Sequence, residues 1–311
     1  MSLSAALVKE RARELGFIAC GITDPSPVPH AEELDQWLAQ GFGGTMRYLH
    51  RQARRRKQPS LIAPETRSVV VVLDNYYPAE EAPSTAPRLA KYARGRDYHL
   101  DLVERLDRMA AWLRENGAGF ARSFADAGPV PERELAQRAG LGWIGKNTML
   151  IRPETGSFFF IGSIFTDLDL PADLPFEADR CGSCTRCIEA CPTSAIVAPR
   201  VLDATRCISY LTIEFRGEFA PETAGTLNGW AFGCDVCNDV CPWNISFAEP
   251  TTNAAYRSRG QLERSNPDFY DDMTDAEFEE QFADTPLSRP GLAGMRRNWR
   301  AALQPGSGSP E

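Results

Sequence analysis

The chain has 311 residues, 43% of them apolar, and a formal net charge of -8. It can therefore bury a sizeable core, and it is too acidic to coat nucleic acid by bulk electrostatics. No apolar stretch approaches the ~20 residues that a membrane helix needs. No cleavable or twin-arginine leader precedes the first helix, so a cytoplasmic protein with reduced cysteines is expected.

The opening run MSLSAALVKERARELGF carries helical periodicity over residues 4–15, and the same period recurs over 30–57. Cys20 lies in a strand-like apolar run and reads as a small buried hydrophobe. Arg51, Arg54, Arg55, Arg56 and Lys57 form a basic block, and Arg296, Arg297 and Arg300 form another. Each reads first as a solvated helix face; two in one acidic chain also fit a patch for a polyanion. Ser68 to Leu73 is a buried β run, and a helix over 98–116 stops at Asn116-Gly117. Asp126 precedes a Gly128-Pro129 turn that leads into a helix bearing Arg133 and Arg138. Taken alone, an aspartate there is more often a turn residue or a cap than an acid. The glycines of 140–147 do not fit a dinucleotide loop. Phe158 to Phe165 reads as a strand pair in a sheet covered on both faces.

Pro171 and Pro175 mark a linker into a cysteine module that starts near Asp179. Cys181, Cys184, Cys187 and Cys191 run as C-x2-C-x2-C-x3-C-P, and Cys207, Cys234, Cys237 and Cys241 follow. This is the ligand pattern of two 4Fe-4S clusters, in which the cysteine before the proline serves the other cluster. Cys181, Cys184, Cys187 and Cys241 then hold one cluster, and Cys191, Cys207, Cys234 and Cys237 the second. Zinc would waste ligands of such a run, and cysteines three apart rarely bridge one another. After Cys241 the chain reads as polar and acidic, with Asp268, Asp271, Asp272, Asp275, Glu277, Glu279, Glu280 and Asp284 crowded together. It closes on a short basic helix and a disordered tail from Gln304 to Pro310. About 180 residues precede the cysteine module, so the electrons are expected to be used within the same chain.

Asp-x-Gly-Pro at 126–129, Glu-Arg-x-x-Ala at 132–136, Ala-Gly-x-Gly-x-x-Gly-Lys-Asn at 139–147, Gly-x-Asp-Tyr-His at 95–99 and Cys-Ile-Ser-Tyr-Leu-Thr at 207–212 occur together. In this combination the chain resembles the epoxyqueuosine reductases over residues from about 5 to 303. The resemblance implies an α+β chain: a nitroreductase-like cobalamin-binding domain over 1–175, a ferredoxin-like two-cluster domain over 176–250, and a C-terminal segment over 251–311. It implies cobalamin bound base-off, in keeping with a chain that holds only His30, His50 and His99. The corrinoid wall is expected from Asp97, Tyr98, His99, Asp126, Leu150, Ile161, Ser209 and Val236, with Asp126 as proton donor; His99 is equally an ordinary helix-start residue.

The implied substrate is epoxyqueuosine at the wobble position of a tRNA anticodon loop. Arg133 is expected to orient the base or phosphate, and Arg54, Arg55 and Arg56 to grip flanking phosphates. An external low-potential electron donor, a monomer and no membrane contact complete the expectation. Members of the family often continue into a helical-repeat domain, and this chain stops short of it. Two other readings are a corrinoid reductive dehalogenase, disfavoured by the missing leader and by Asp-x-Gly-Pro, and a non-catalytic iron-sulfur carrier.

Overall fold

The computed structural model describes residues 3–79, 87–259 and 268–304. Helix α1 (Ala5–Glu14) is capped by the Ser4 side chain and leads into strand β1 (Ala19–Thr23). The periodic stretch over 30–57 forms two helices instead of one, α2 (Ala31–Ala39) and α3 (Arg47–Lys57). The break falls where Gly41 and Gly44 take positive φ, of 73° and 54°. Gly44 also lies so close to the Tyr210 ring that a Cβ would collide with it, while Thr45 N–H donates to the Tyr210 hydroxyl at 2.8 Å. The interruption thereby seats α3 against the cysteine module.

Strand β2 (Ser68–Asn75) is buried along nearly its whole length, and β3 (Arg88–Leu89) follows. Helix α4 (Tyr98–Glu115), strand β4 (Ala121–Phe124) and helix α5 (Glu132–Arg138) come next. The small antiparallel pair β5 (Trp143–Ile144) and β6 (Leu150–Ile151) occupies the glycine-rich stretch. Phe158 to Phe165 does not make the expected strand pair: one strand, β7 (Phe159–Thr166), runs straight through, because Gly162 and Ser163 stay in register with Val72 and Val71 of β2, and Gly162 lets Leu106 of α4 pack close instead of turning the chain.

The main sheet is antiparallel throughout, in the order β1-β2-β7-β4. Both faces are covered, which explains its continuous apolar runs. Ile22, Val70 and Val72 pack with Val8 of α1 and Leu102, Leu106 and Met109 of α4. Their neighbours Val69, Val71 and Leu73 point the other way, onto Leu135 and Ala136 of α5. The alternation is the period-two geometry of a strand, here apolar on both sides. A buried network ties α4 to β2: Arg105 bonds Asp74, and the Tyr256 hydroxyl donates to Asp74 at 2.6 Å.

The cysteine module contributes α6 (Arg186–Glu189), β8 (Ile196–Ala198), β9 (Val201–Leu202), α7 (Ile208–Ile213) and α8 (Pro221–Ala224). It continues with β10 (Trp230–Phe232), α9 (Val236–Asp239) and α10 (Pro242–Phe247). Strand β10 pairs in parallel with β3, stitching the module to the N-terminal part.

The C-terminal segment is not a polar trailer. Helix α11 (Asp275–Phe282) starts on a capping box of Thr274 and Glu277, and α12 (Gly291–Ala302) lies against β10. Tyr270, Phe278, Phe282, Leu287, Met295 and Trp299 bury a core there with Leu89 and Phe232. The acidic residues of α11 sit outside the positions occupied by Phe278 and Phe282, so their abundance masks the apolar face. The second basic block is largely structural: Arg296 donates to the carbonyls of Tyr270, Asp271 and Met273, and Arg297 to those of Leu211, Phe215 and Gly217. Residues 305–311 of the expected tail lie outside the described residues.

Candidate active site and cysteine module

A four-residue loop tip carries Asp126. The chain enters it from Ala125, which is buried at the end of β4, and leaves it at Val130, which is buried in the core under α5. Asp126 itself takes a φ of 53°, and Ala127 N–H donates to Ala125 carbonyl at 2.5 Å, closing a three-residue γ-turn. A left-handed non-glycine residue costs roughly 1–3 kcal/mol and persists only where its surroundings hold it. Asp and Asn tolerate this region better than most residues. Gly128 packs edge-on to Phe124, where a Cβ would come to 3.0 Å of the ring.

The tip faces a cavity of about 630 Å3 lined by Tyr48, Arg56, Tyr92, Asp97, Tyr98, His99, Asp126, Arg133, Glu214, Phe232 and Arg289, among others. The Tyr98 hydroxyl donates to Asp126 Oδ2 at 2.6 Å. Its ring is fixed between His99 and Phe160, with centroids 4.1 Å away on each side. Burial and the Asp126 charge push the phenol far above its ordinary range, so Tyr98 stays a donor. His99 Nδ1 lies 2.8 Å from Asp97 Oδ1, and its Nε2 lies 3.9 Å from Asp126 Oδ2. Burial alone would lower the imidazole pKa; the hydrogen bond and charge of Asp97, joined by Asp126, reverse that and raise it. Asp97 also caps α4 by accepting from the His99 amide at 2.9 Å. His99 is thus both a helix-start residue and a cavity residue.

The sequence-derived residues divide. Asp97, Tyr98, His99, Asp126, Arg133 and Arg56 are brought to this one cavity. Leu150 is a core side chain, 2% exposed, and Ile161 packs against the same core. Ser209 on α7 and Val236 at the start of α9 also stand outside the cavity lining. Arg133 donates to Thr148 carbonyl at 2.6 Å. In the basic block, Arg54 and Arg55 are exposed, whereas Arg56 turns inward and donates to the carbonyls of Val130 at 3.2 Å and Gly128 at 3.0 Å. Its guanidinium is thus engaged with the loop while it also lines the cavity. Sequence reasoning missed Tyr48, Glu214 and Arg289. The last two form an ion pair at 2.9 Å across the cavity and carry no local signature.

The eight module cysteines are all unbridged. Cys181, Cys184, Cys187 and Cys241 line one cavity of about 170 Å3 with Lys146, Arg180, Arg186 and Trp243. Trp143, Ile151, Phe176 and Trp243 sheathe it, and Trp143 Nε1–H points at Cys181 Sγ at 3.4 Å. Cys207 and Cys234 pack instead with Ile208, Tyr210 and Trp230. Burial raises the Cys234 thiol to about 12, with Cys207, Asp235 and Cys191 adding to it. Cys237 is raised by burial and then by Cys234, Cys207, Asp235 and Cys187, the last from the first set of thiols, so the two sets lie close to one another. The Cys191 sulfur accepts from the Ala195 amide at 3.3 Å. Among the described residues no three His, Cys, Asp or Glu side chains close on a single ion. Thiols set around a cavity and supplied with N–H donors instead suit a centre of several irons, whose sulfurs stand further apart than those on one tetrahedral ion.

Residues 180–244 match the family described as 4Fe-4S double cluster binding domain, and residues 56–127 match epoxyqueuosine reductase QueG, DUF1730. The epoxyqueuosine reductase of Gloeobacter violaceus is 43% identical over 312 aligned positions, covering 97% of this chain and 97% of the relative. That of Cellulophaga algicola is 39% identical, covering 94% of this chain and 95% of the relative. Among solved structures, an epoxyqueuosine reductase with an epoxyqueuosine-modified tRNA-Tyr stem loop superposes with a TM-score of 0.87 at 28% identity, covering 96% of this chain and 80% of that one. The Bacillus subtilis enzyme, captured with its catalytic aspartate loop swung out of the active site, gives a TM-score of 0.86 at 28% identity, with the same coverage. An α+β fold with a double-cluster domain, matched over nearly its whole length by relatives of one activity, places this chain in the epoxyqueuosine reductase family of oxidoreductases.

Proposed function

We propose that the chain reduces epoxyqueuosine to queuosine at the wobble position of tRNA, using base-off cobalamin served by two 4Fe-4S clusters, with Asp126 as proton donor. The observation that carries this reading is the cavity itself. The Asp126 loop and the α4 start form one side, and the other includes Phe232, two residues before Cys234. Phe232 thus brings the strand that leads into the second set of thiols to the cavity that holds the reacting carboxyl. Leu49, Tyr92, Ile213 and Phe232 offer an apolar face to a flat macrocycle, and Asp97, Tyr98, His99 and Arg133 offer polar contacts. His99 is already tied to Asp97 and directed toward Asp126, which suits a corrinoid held without a histidine on cobalt.

The reaction breaks both C–O bonds of the epoxide. Two electrons and two protons enter, oxygen leaves as water, and a carbon–carbon double bond remains. Bound corrinoid would supply low-potential electron delivery to the epoxide carbon. The Asp126 carboxyl donates a proton to the departing oxygen, the Tyr98 hydroxyl fixes its orientation, and His99 lies where it can restore the proton. Cys181, Cys184, Cys187 and Cys241 would hold the first cluster, and Cys191, Cys207, Cys234 and Cys237 the second. Arg133 would orient the base or a phosphate. An external low-potential donor, action as a monomer, and a cytoplasmic location with the tRNA belong to the same reading; among the described residues no helix is long and apolar enough to cross a membrane.

Anaerobic reconstitution with iron, sulfide and cobalamin tests the proposal. The expected result is one corrinoid per chain with a base-off absorption spectrum beside the cluster bands; clusters without retained corrinoid would favour a simple electron carrier. Exposed Arg54 and Arg55 remain the candidates for phosphate contact. Changing both to Ala, with Arg56 left in place, should weaken stem-loop binding and reduce the slope of log affinity against log salt by up to about 2. An unaltered slope would return that helix face to plain solvation.

A further inference from the structure

Two side chains outside the sequence-derived roles hold the Asp126 loop from opposite sides. At its start, the Asp126 amide donates to Glu132 Oε1 at 2.6 Å, so the first turn of α5 reaches back to the residue with the strained φ. At its end, Arg56 of α3 donates one N–H to Gly128 carbonyl and another to Val130 carbonyl. The tip between these ties, Asp126 and Ala127, is exposed, while Ala125 and Val130 are buried. The backbone of the tip gains nothing from sheet or helix; apart from its own γ-turn, and with Tyr98 holding the Asp126 side chain, its backbone is tied by these two clamps.

We propose that Glu132 and Arg56 are positioning residues that hold the Asp126 loop closed over the cavity, Glu132 by accepting the Asp126 amide and Arg56 by engaging the two carbonyls beyond it. Burial and the neighbouring Asp126 charge raise the Glu132 pKa to about 8, and its carboxyl suits the first task because Oε1 can accept the Asp126 amide in either protonation state. Arg56 suits the second because its planar fork presents two N–H groups to two carbonyls at once, which a lysine ammonium does not match. Without either tie, the cost of the left-handed Asp126 favours release of the tip. The swung-out catalytic loop of the Bacillus subtilis relative shows that the corresponding element of that enzyme has two positions.

This inference rests on the reading of Asp126 as proton donor, and its test separates the two. The measurements are hydrogen exchange of the 121–130 segment in the iron-loaded protein, and kcat and KM on an epoxyqueuosine stem loop. Glu132→Ala should speed exchange at the Asp126 amide about 2- to 10-fold, the range for losing a hydrogen bond between uncharged groups. It should lower kcat with little change in KM. Glu132→Gln keeps an acceptor oxygen and should restore most of the protection and part of the kcat. Arg56→Lys should loosen the 128–130 end even though the positive charge is kept. Should Glu132→Ala fail to fold, Arg56→Lys still decides the matter by exchange alone. Unchanged exchange in Glu132→Ala or Arg56→Lys would overturn the clamp, whatever the activity. Faster exchange with wild-type kcat would uphold the clamp and reject Asp126 as the acid.

Discussion

Asp126→Asn should turn over roughly 100- to 10,000-fold more slowly than the wild type, the loss typical of removing a general acid. The substitution is suited to separating chemistry from folding. Asparagine tolerates the left-handed conformation at φ 53° nearly as well as aspartate, and its side-chain oxygen still accepts from the Tyr98 hydroxyl. Its backbone N–H still reaches Glu132, so the loop should stay closed. What it lacks is a proton to give. Activity must be compared at equal cofactor loading in one preparation. Wild-type turnover by a fully loaded variant would move the acid role to Tyr98, which touches Asp126, or to His99 beyond it.

Cys184→Ser should halve the iron content and abolish turnover supported by a protein electron donor. The reason is the separation of the two thiol groups: Cys181, Cys184, Cys187 and Cys241 share one cavity under Trp143 and Trp243. Cys207 and Cys234 lie in a different apolar cluster, with Ile208 and Trp230. Loss of one ligand should therefore empty the first site and leave the second formed. Iron measured per chain, together with the electron paramagnetic resonance of the reduced protein, checks this. An unchanged iron count would overturn the ligand assignment, and complete loss of iron would show that the two sites do not fold independently.

Local chemistry was legible in the sequence because its determinants are local. Three thiols of the first set come from one short run, so C-x2-C-x2-C brings Cys181, Cys184 and Cys187 to one cavity, where Cys241 joins them from the far end of the module. The buried strand Ser68–Asn75 and the amphipathic helix Tyr98–Glu115 follow from periodicity in the same way. Asp97, Tyr98, His99, Asp126 and Arg133 were found through motifs, not periodicity, and they meet at one cavity. Failures arose where distant contacts decide. The break between α2 and α3 depends on Tyr210 seating against Gly44, more than 160 positions away. Arg56 looked identical to Arg54 and Arg55 until the loop carbonyls gave it partners. Leu150, Ile161, Ser209 and Val236 are not among the residues that line this cavity, and no local pattern separates them from those that do. Glu132 was within reach: it opens α5 directly after Pro131, six positions past Asp126, where a first-turn carboxylate can face back along the chain.

The proposed reaction requires one chain to bring cluster, corrinoid and acid chemistry to an epoxide in RNA. Its most direct test is the mass of the modified nucleoside in an anticodon stem loop carrying epoxyqueuosine, after anaerobic incubation with the reconstituted protein and a low-potential reductant. Loss of one oxygen atom to give queuosine is expected, dependent on added cobalamin and on intact clusters. An unchanged nucleoside in the presence of fully loaded protein, or conversion that proceeds equally well without cobalamin, would contradict it.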